Sequence, residues 1–453
     1  MKSFLFFFLL PFFLLPFFTF AQYLVPSTTH ILSSGNSEGY HRPRVVMTTN
    51  NSPFVVWSKT ASPKEIKARK WNGTAFDSTV SLVNSALKPA GFIGPEIAAK
   101  GDTLYLIFES SLHNNHVIYL KRSFDGGLTF SDTIRVSDNS NTHKFAMPNL
   151  TVREDGNPVI SYMECLPGWT QWKQMVKTSF NFGTTFSAAT DVSALAPGEP
   201  CDCCQSTLVS SGNSVFLLFR NNDVNVRNSY IAKSDDDGLT FTSAQDLDDI
   251  NWVLNSCPTS SPEGAVLGDS IMVIRRNGGS GLNELYKSNV NTTDLQKSYF
   301  SQVEFSGSSL QDQPKIVSTE NYGGVFVSVW EENRNGVKEC FYNVMASNGE
   351  SLFNGVASDT AVFGHKLKPD ITCGGPYSNL NFSVVYSAST EKEVHFIYAP
   401  LEWSGVSVTE TQSQNKKLLK SVDLQGKTIN PESNKPFLNI YEDGSVERKV
   451  VVE

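Results

Sequence analysis

The sequence has no dense cluster of lysine and arginine: 37 basic residues are scattered among 45 acidic ones, for a net charge of −8 over 453 residues. Binding nucleic acid takes a concentrated basic footprint, so nucleic acid is not expected as a partner. Also missing are a phosphate-binding glycine loop, a dinucleotide fingerprint and any Ser-His-Asp arrangement. Tryptophan is scarce (7) beside phenylalanine (31), while Gly, Asn, Ser and Thr abound. That balance favours short strands joined by polar turns over long helices, and hence an all-β fold. One long apolar run opens the chain, over residues 4–20, after Met1-Lys2-Ser3 and before Thr19-Phe20-Ala21 and Gln22. An early positive charge, an apolar stretch and a small residue at the cut describe a signal peptide over residues 1–21. The run is short for a permanent membrane span and is broken by Pro11 and Pro16. No cysteine follows the cut, which disfavours a lipid anchor. Seven cysteines remain: Cys165, Cys201, Cys203, Cys204, Cys257, Cys340 and Cys373. Export permits disulfides, and the odd count leaves at least one thiol unpaired.

The chain repeats itself. Segments starting at Ser123, Ser179 and Ser234 align as Ser-x-Asp/Asn-x-Gly-x-Thr-Phe and are spaced about 55 residues apart. A degenerate fourth copy at Ser288 has lost the motif. In each copy Asp125, Asn181 or Asp236 caps its own turn, a glycine takes a conformation others avoid, and a phenylalanine packs beneath. An inner strand opens near each of Pro43, Pro95, Pro148, Cys204, Pro258, Pro314 and Pro369. An apolar strand follows each opening: residues 54–57, 104–108, 159–162, 215–219, 271–274, 325–330 and 382–386. Near-continuous apolar strands suit sheets covered on both faces. The pattern predicts a seven-bladed β-propeller over residues 22–403, with six blades as the alternative. Residues 29–33 resemble the outer strands and are expected to close the ring from the opposite terminus.

The boxed repeats resemble the sialidase superfamily. The resemblance implies that these Asp boxes are scaffold, on the face away from any active site. For a sialidase it also implies an arginine triad on the sugar carboxylate, a carboxylic acid donor, and a Tyr nucleophile with a Glu partner. This chain departs from that pattern. The nearest counterpart to the family's Arg-Ile-Pro motif is Arg42-Pro43, in a blade without a box, and the first boxed blade opens Phe92-Ile93-Gly94-Pro95. Glu109 stands where the family places its acid.

After a polar linker over residues 404–417, the segment 418–453 carries Val422-Asp-Leu-Gln-Gly426-Lys and Tyr441-Glu-Asp-Gly-Ser-Val446. It resembles the carboxy-terminal sorting domain of proteins exported by the type IX secretion system of Bacteroidetes. That implies passage across the outer membrane, a secreted or cell-surface location, and the secretion machinery as a partner.

Glu199-Pro-Cys201-Asp202-Cys203-Cys204, Arg220-Asn221-Asn222, Arg227 and Cys257-Pro258 resemble a subgroup of secreted Asp-box proteins sharing a Cys-Asp-Cys-Cys element. Inner-strand openings and the loops between second and third strands share one propeller face. That face is expected to gather Glu164, Trp169, Trp172, Arg220, Asp223, Arg227, Arg275 and Arg276, with Trp252 near Cys257. Guanidiniums for a carboxylate and indoles for a ring suit an acidic sugar. His113, His116 and His143 there read as surface residues. The sequence-based expectation is a monomeric propeller that recognises an acidic carbohydrate. If it hydrolyses that sugar, Asp202 or Glu164 is the acid, Arg220, Arg227 and Arg275 form the clamp, and Trp169 and Trp252 support the ring. A non-catalytic glycan- or protein-binding module and a polysaccharide lyase are the alternatives. For Cys201, Cys203, Cys204 and Cys257 the leading reading is a disulfide from Cys257 to one of the other three. A soft cation on three thiolates and Asp202, or a redox role, stays open. No cofactor is expected.

Overall fold

The computed structural model describes residues 22–24, 29–33, 42–90, 93–112, 116–304, 310–320, 324–334, 336–374, 381–390, 392–403, 418–422, 427–430, 436–441 and 446–450. The expected signal peptide and linker lie outside them, as does His113.

Residues of the first unit, Gln22–Trp403, form seven antiparallel sheets. Their first strands are Arg44–Thr48, Glu96–Lys100, Lys144–Val152, Thr207–Ser211, Glu263–Leu267, Leu310–Thr319 and Lys366–Gly374. Successive first strands touch one another in a closed circuit, the seventh meeting the first. This is a seven-bladed propeller, and the six-blade alternative falls. The second strands are Ser52–Lys59, Thr103–Ser110, Pro158–Leu166, Ser214–Asn222, Ser270–Asn277, Val325–Arg334 and Asn381–Ala388, each enclosing its predicted apolar run.

The continuous apolar runs have a direct cause. In blade 2, Leu104, Leu106 and Phe108 pack with Val46, Phe54 and Val56 of blade 1. The alternate residues Tyr105 and Ile107 pack with Ile160 and Tyr162 of blade 3. Each sheet is sandwiched between two others, so neither side of a second strand meets water.

Blade 7 is completed from the far end of the chain. His30–Ile31 pairs with the third strand, Glu393–Trp403, through His30 to Phe396 and Ile31 to His395. Leu32 buries among Trp57, Val385, Val394 and Phe396 at the seam of the first and last blades. The closure expected of residues 29–33 is therefore observed. Gln22–Leu24 adds a further pairing to the same strand, which the sequence pattern did not show.

The three boxes have the expected local chemistry. Asp125 Oδ1 accepts from Thr129 N at 3.0 Å and Oδ2 from Thr129 Oγ1 at 2.6 Å. Asp236 does the same for Thr240, and Asn181 Oδ1 accepts from Thr185 N at 2.9 Å. Each box hydrogen-bonds the turn between the first and second strands of its own blade: Gly126 N to Asp102 O, Phe182 N to Asn157 Oδ1, Asp237 N to Asn213 O. That turn lies at the end of the blade opposite the inner-strand openings. The first strands begin near the expected residues, some before them, as at Lys144, Leu310 and Lys366, and two of them well after, at Thr207 beyond Cys204 and at Glu263 beyond Pro258. The intervening residues are used in loops tied by a disulfide.

A second unit holds three antiparallel strands, Leu418–Val422, Pro436–Tyr441 and Val446–Val450. Leu438 pairs with Val422 and with Arg448, and Val422 and Phe437 are buried.

Candidate functional site in the axial pocket

Where the inner strands open, a narrow pocket with a free volume of about 20 Å³, room for roughly one water molecule, is lined by Arg42, Arg44, Gln205, Thr259, Glu263, Gln313, Lys315 and Lys368, with Cys203 and Ile93 at its wall. A positional rule links these residues. The residue immediately after each opening Pro or Cys is polar: Arg44, Glu96, Asn149, Gln205, Thr259, Lys315 and Asp370. Several of them lock neighbouring blades. Asp370 Oδ2 accepts from Val45 N at 2.8 Å, Asn149 Oδ1 from Leu208 N at 3.0 Å, and Gln205 donates to Pro148 O at 2.5 Å.

Charge is concentrated here and mostly paired. Arg44 Nε lies 2.9 Å from both Glu96 oxygens, and Nη2 lies 2.7 Å from Oε1. Burial opposes both charges, yet each holds the other in its ionised form: Arg44 is raised, and Glu96 is lowered with help from Lys315. Lys315 Nζ reaches Glu263 at 2.7 Å. Burial pushes the carboxyl groups of Glu263 and Asp370 up, against the pull of Lys315 and Arg44. Burial also lowers the Lys368 ammonium, 3.6 Å from Glu331. The lining thus carries four cations, Arg42, Arg44, Lys315 and Lys368, around a carboxyl group that resists ionisation.

The backbone is strained at the same place. Thr259, Gln313 and Lys368 have φ of 53°, 51° and 54°, values that non-glycine residues seldom adopt. Gln313 and Lys368 sit at register shifts between Asp312 and Lys315 and between Leu367 and Asp370. These bulges precede Lys315, which lines the pocket, and Asp370, which binds Val45 N of the neighbouring blade. Bulges and left-handed residues concentrate where a fold aims side chains at a ligand.

The residues expected from sequence are placed differently. Arg220 is 1% exposed, with its guanidinium donating to the carbonyls of Arg227, Arg276 (2.7 Å) and Ser260 (3.4 Å). Arg275 is fully enclosed, bound to Asp248 at 2.9 Å, Ser288 Oγ at 3.0 Å and Leu247 O. Arg227 is buried against Leu254 O and Cys201 Sγ. The three do not converge on the pocket as a clamp. They stand at or beside strand ends, where a long side chain folds back to satisfy loop carbonyls. Trp252 is buried between Arg220 and Arg276, at 5.1 and 5.3 Å from its ring, and offers no open face. Trp169 is 40% exposed, with Lys144 Nζ 4.3 Å from the ring centroid and Trp172 stacked at 5.7 Å. Glu164 is half-buried, 3.7 Å from His143. Glu109 binds His116 Nδ1 at 2.5 Å. Asp202 is exposed beside the pocket wall.

Cys203 forms a disulfide with Cys257, and Cys201 and Cys204 lie behind it. Among the described residues, two groups bring three ligand atoms within 4.8 Å of one another: Cys201 with Cys203 and Cys204, and Asp202 with Cys203 and Cys257. The disulfide removes ligands from both, and the Arg227 guanidinium 3.5 Å from Cys201 opposes a cation.

No family model and no curated protein matches the chain. Solved structures do. A Trypanosoma rangeli sialidase in complex with the inhibitor DANA aligns at 12% identity and a TM-score of 0.47, over 83% of this chain and 60% of that one. This chain therefore spans less than two thirds of that sialidase. A Penicillium chrysogenum α-L-arabinanase complexed with arabinobiose aligns at 11% identity and 0.46, over 83% of this chain and 98% of that one. AofleA from Arthrobotrys oligospora aligns at 12% identity and 0.45, over 73% and 90%. These likenesses are of architecture.

Proposed function

We propose that this propeller binds an acidic carbohydrate at the mouth of its axial pocket. The observation that carries the reading is the ring of Arg42, Arg44, Lys315 and Lys368 around a carboxyl group whose ionisation burial disfavours. Cationic groups gathered at a pocket mouth are complementary to a carboxylate-bearing ligand, and bulged, strained backbone holds the lining in place. Hydrolysis is the second reading. A proton donor needs a carboxyl pKa above its ordinary value, and Glu263 and Asp370 both have one. Asp202 is exposed and Glu164 half-buried, and neither lines the pocket. Export fits the same picture: the leader over residues 1–21, the Cys203–Cys257 disulfide and the three-stranded tail support a secreted or surface protein sorted by the type IX route.

The test is titration of the mature protein with sialylated and neutral oligosaccharides, together with turnover of a fluorogenic sialoside. Arg42→Ala and Lys368→Ala should each weaken acidic-glycan binding by about tenfold or more. Loss of turnover in Glu263→Gln with binding retained would establish the hydrolase. Equal binding of acidic and neutral sugars, unchanged by either substitution, would overturn the pocket assignment.

A further inference from the structure

The four cysteines of the pocket wall hold more chemistry than one disulfide. A turn closed by Cys204 N donating to Cys201 O at 3.1 Å folds the Cys-x-x-Cys segment back on itself. It brings Cys201 Sγ to 2.7 Å from Cys204 Sγ. Two non-bonded sulfurs need about 3.6 Å, as ordinary van der Waals contact requires. Cys201 Sγ is also 3.5 Å from Cys203 Sγ, and Cys203 to Cys204 is 4.0 Å. Cys201 and Cys204 are 0% and 2% exposed, whereas Cys257, at the other end of the existing disulfide, faces solvent.

We propose that Cys201 and Cys204 form a second disulfide, made by thiol–disulfide exchange through the exposed Cys203–Cys257 bond. The route follows from access. No oxidant in solution reaches a buried pair, but Cys201 lies against the sulfur of Cys203. Its thiolate attacks Cys203 Sγ, the Cys203–Cys257 bond breaks, and the electron pair leaves on Cys257, which takes up a proton from solvent. Cys204 then loses its proton and attacks Cys201 Sγ, which forms Cys201–Cys204 and returns the thiolate to Cys203. A small-molecule or protein disulfide in the exterior reoxidises Cys203 and Cys257 and is itself reduced to two thiols. Two protons and two electrons pass from the buried pair to that external disulfide.

The surroundings suit an attacking sulfur. The Arg227 guanidinium is 3.5 Å from Cys201 Sγ, and Arg220 braces the same loop through Arg227 O. A hydrogen bond from Cys204, then Arg220 and Arg227, bring the Cys201 thiol down to about 7, while burial pushes Cys204 well up. A low thiol beside a high one is the division of labour that exchange requires. The same guanidiniums disfavour a bound cation, the competing use of three clustered sulfurs.

The experiment uses the unreduced wild-type chain, so its outcome does not depend on a variant folding. Denaturation without reductant and alkylation should label Cys165, Cys340 and Cys373 alone. Trypsin should release the peptide of residues 178–220 bound to that of residues 234–275, lighter than the reduced sum by the four hydrogens of two disulfides. Labelling of Cys201 and Cys204, or stoichiometric zinc or copper released from them by chelator, overturns the proposal. The route is read separately. In folded protein reduced and then given oxidised glutathione, Cys203→Ser should slow closure of the buried pair by about tenfold or more, because the relay sulfur is gone. An unchanged rate overturns the exchange route.

Discussion

Arg44 and Glu96 stand one behind the other at the mouths of the first two blades, with Nε of the arginine 2.9 Å from both carboxylate oxygens and both side chains almost wholly enclosed. Removing one member leaves the other charged, buried and unpaired. Arg44→Met and Glu96→Gln should each cost about 3–5 kcal/mol in urea unfolding, whereas the double exchange Arg44→Met, Glu96→Leu should recover most of the loss.

Arg220 and Arg42 separate structure from recognition. Arg220→Ala orphans three carbonyl groups and opens a cavity beneath Trp252, which should lower stability by about 2–5 kcal/mol. The fraction that folds should keep its affinity for an acidic glycan. Arg42→Ala, at the pocket lining, should weaken binding by more than any loss of stability accounts for. Calorimetry and ligand titration on both variants check the contrast.

Acid should loosen the first Asp box within a defined window. Bonds from Thr129 and Ser123 hold the Asp125 carboxyl down to about 2. A depressed folded pKa contributes stability that is present above the ordinary carboxylate value and lost as pH falls through about 2. Asn181 does the same capping without a charge. Asp125→Asn should therefore melt like wild type at neutral pH and lose the part of the acid sensitivity that Asp125 contributes. Thermal melts at about pH 7 and pH 3 compare the two.

Ligand binding should weaken as pH rises above the ordinary carboxylate range. Burial raises Glu263 and Asp370, so protons leave them later than usual and the pocket is most cationic before they do. Titrating an acidic oligosaccharide across that range should show affinity falling with pH, and Glu263→Gln should flatten the slope.

Much of the scaffold could be read directly. Seven apolar runs mark seven second strands, because each strand is buried on both faces and carries no alternation to confuse with a helix. The closing strand was legible from its likeness to the outer strands. The pocket was not, for a geometric reason. Arg220 and Arg275 are placed on the correct ends of blades by sequence order, yet order does not say whether a side chain faces the axis or a seam. Their strands turn them into the seams. The residues that line the pocket cluster around the opening residues, on either side of them, and the bulges beside Lys315 and Asp370 depend on left-handed residues, Gln313 and Lys368, with no glycine to announce them. The polar residue after every opening was the signal available. It reads as ordinary strand-entry polarity until seven copies are superposed.

The pairing of His30–Ile31 with Glu393–Trp403 has a temporal consequence. The strand that completes the ring is made first, and its partner comes more than three hundred residues later. Until residues 393–403 are present, the edge of the last blade is bare and Leu32 has no Val394 or Phe396 to bury against. Blades one to six can stack as they appear, but the loop spanning the whole propeller closes last and slowly. A chain made from its amino end therefore keeps an open, template-like edge until its final strand arrives, and should become protease-resistant only then.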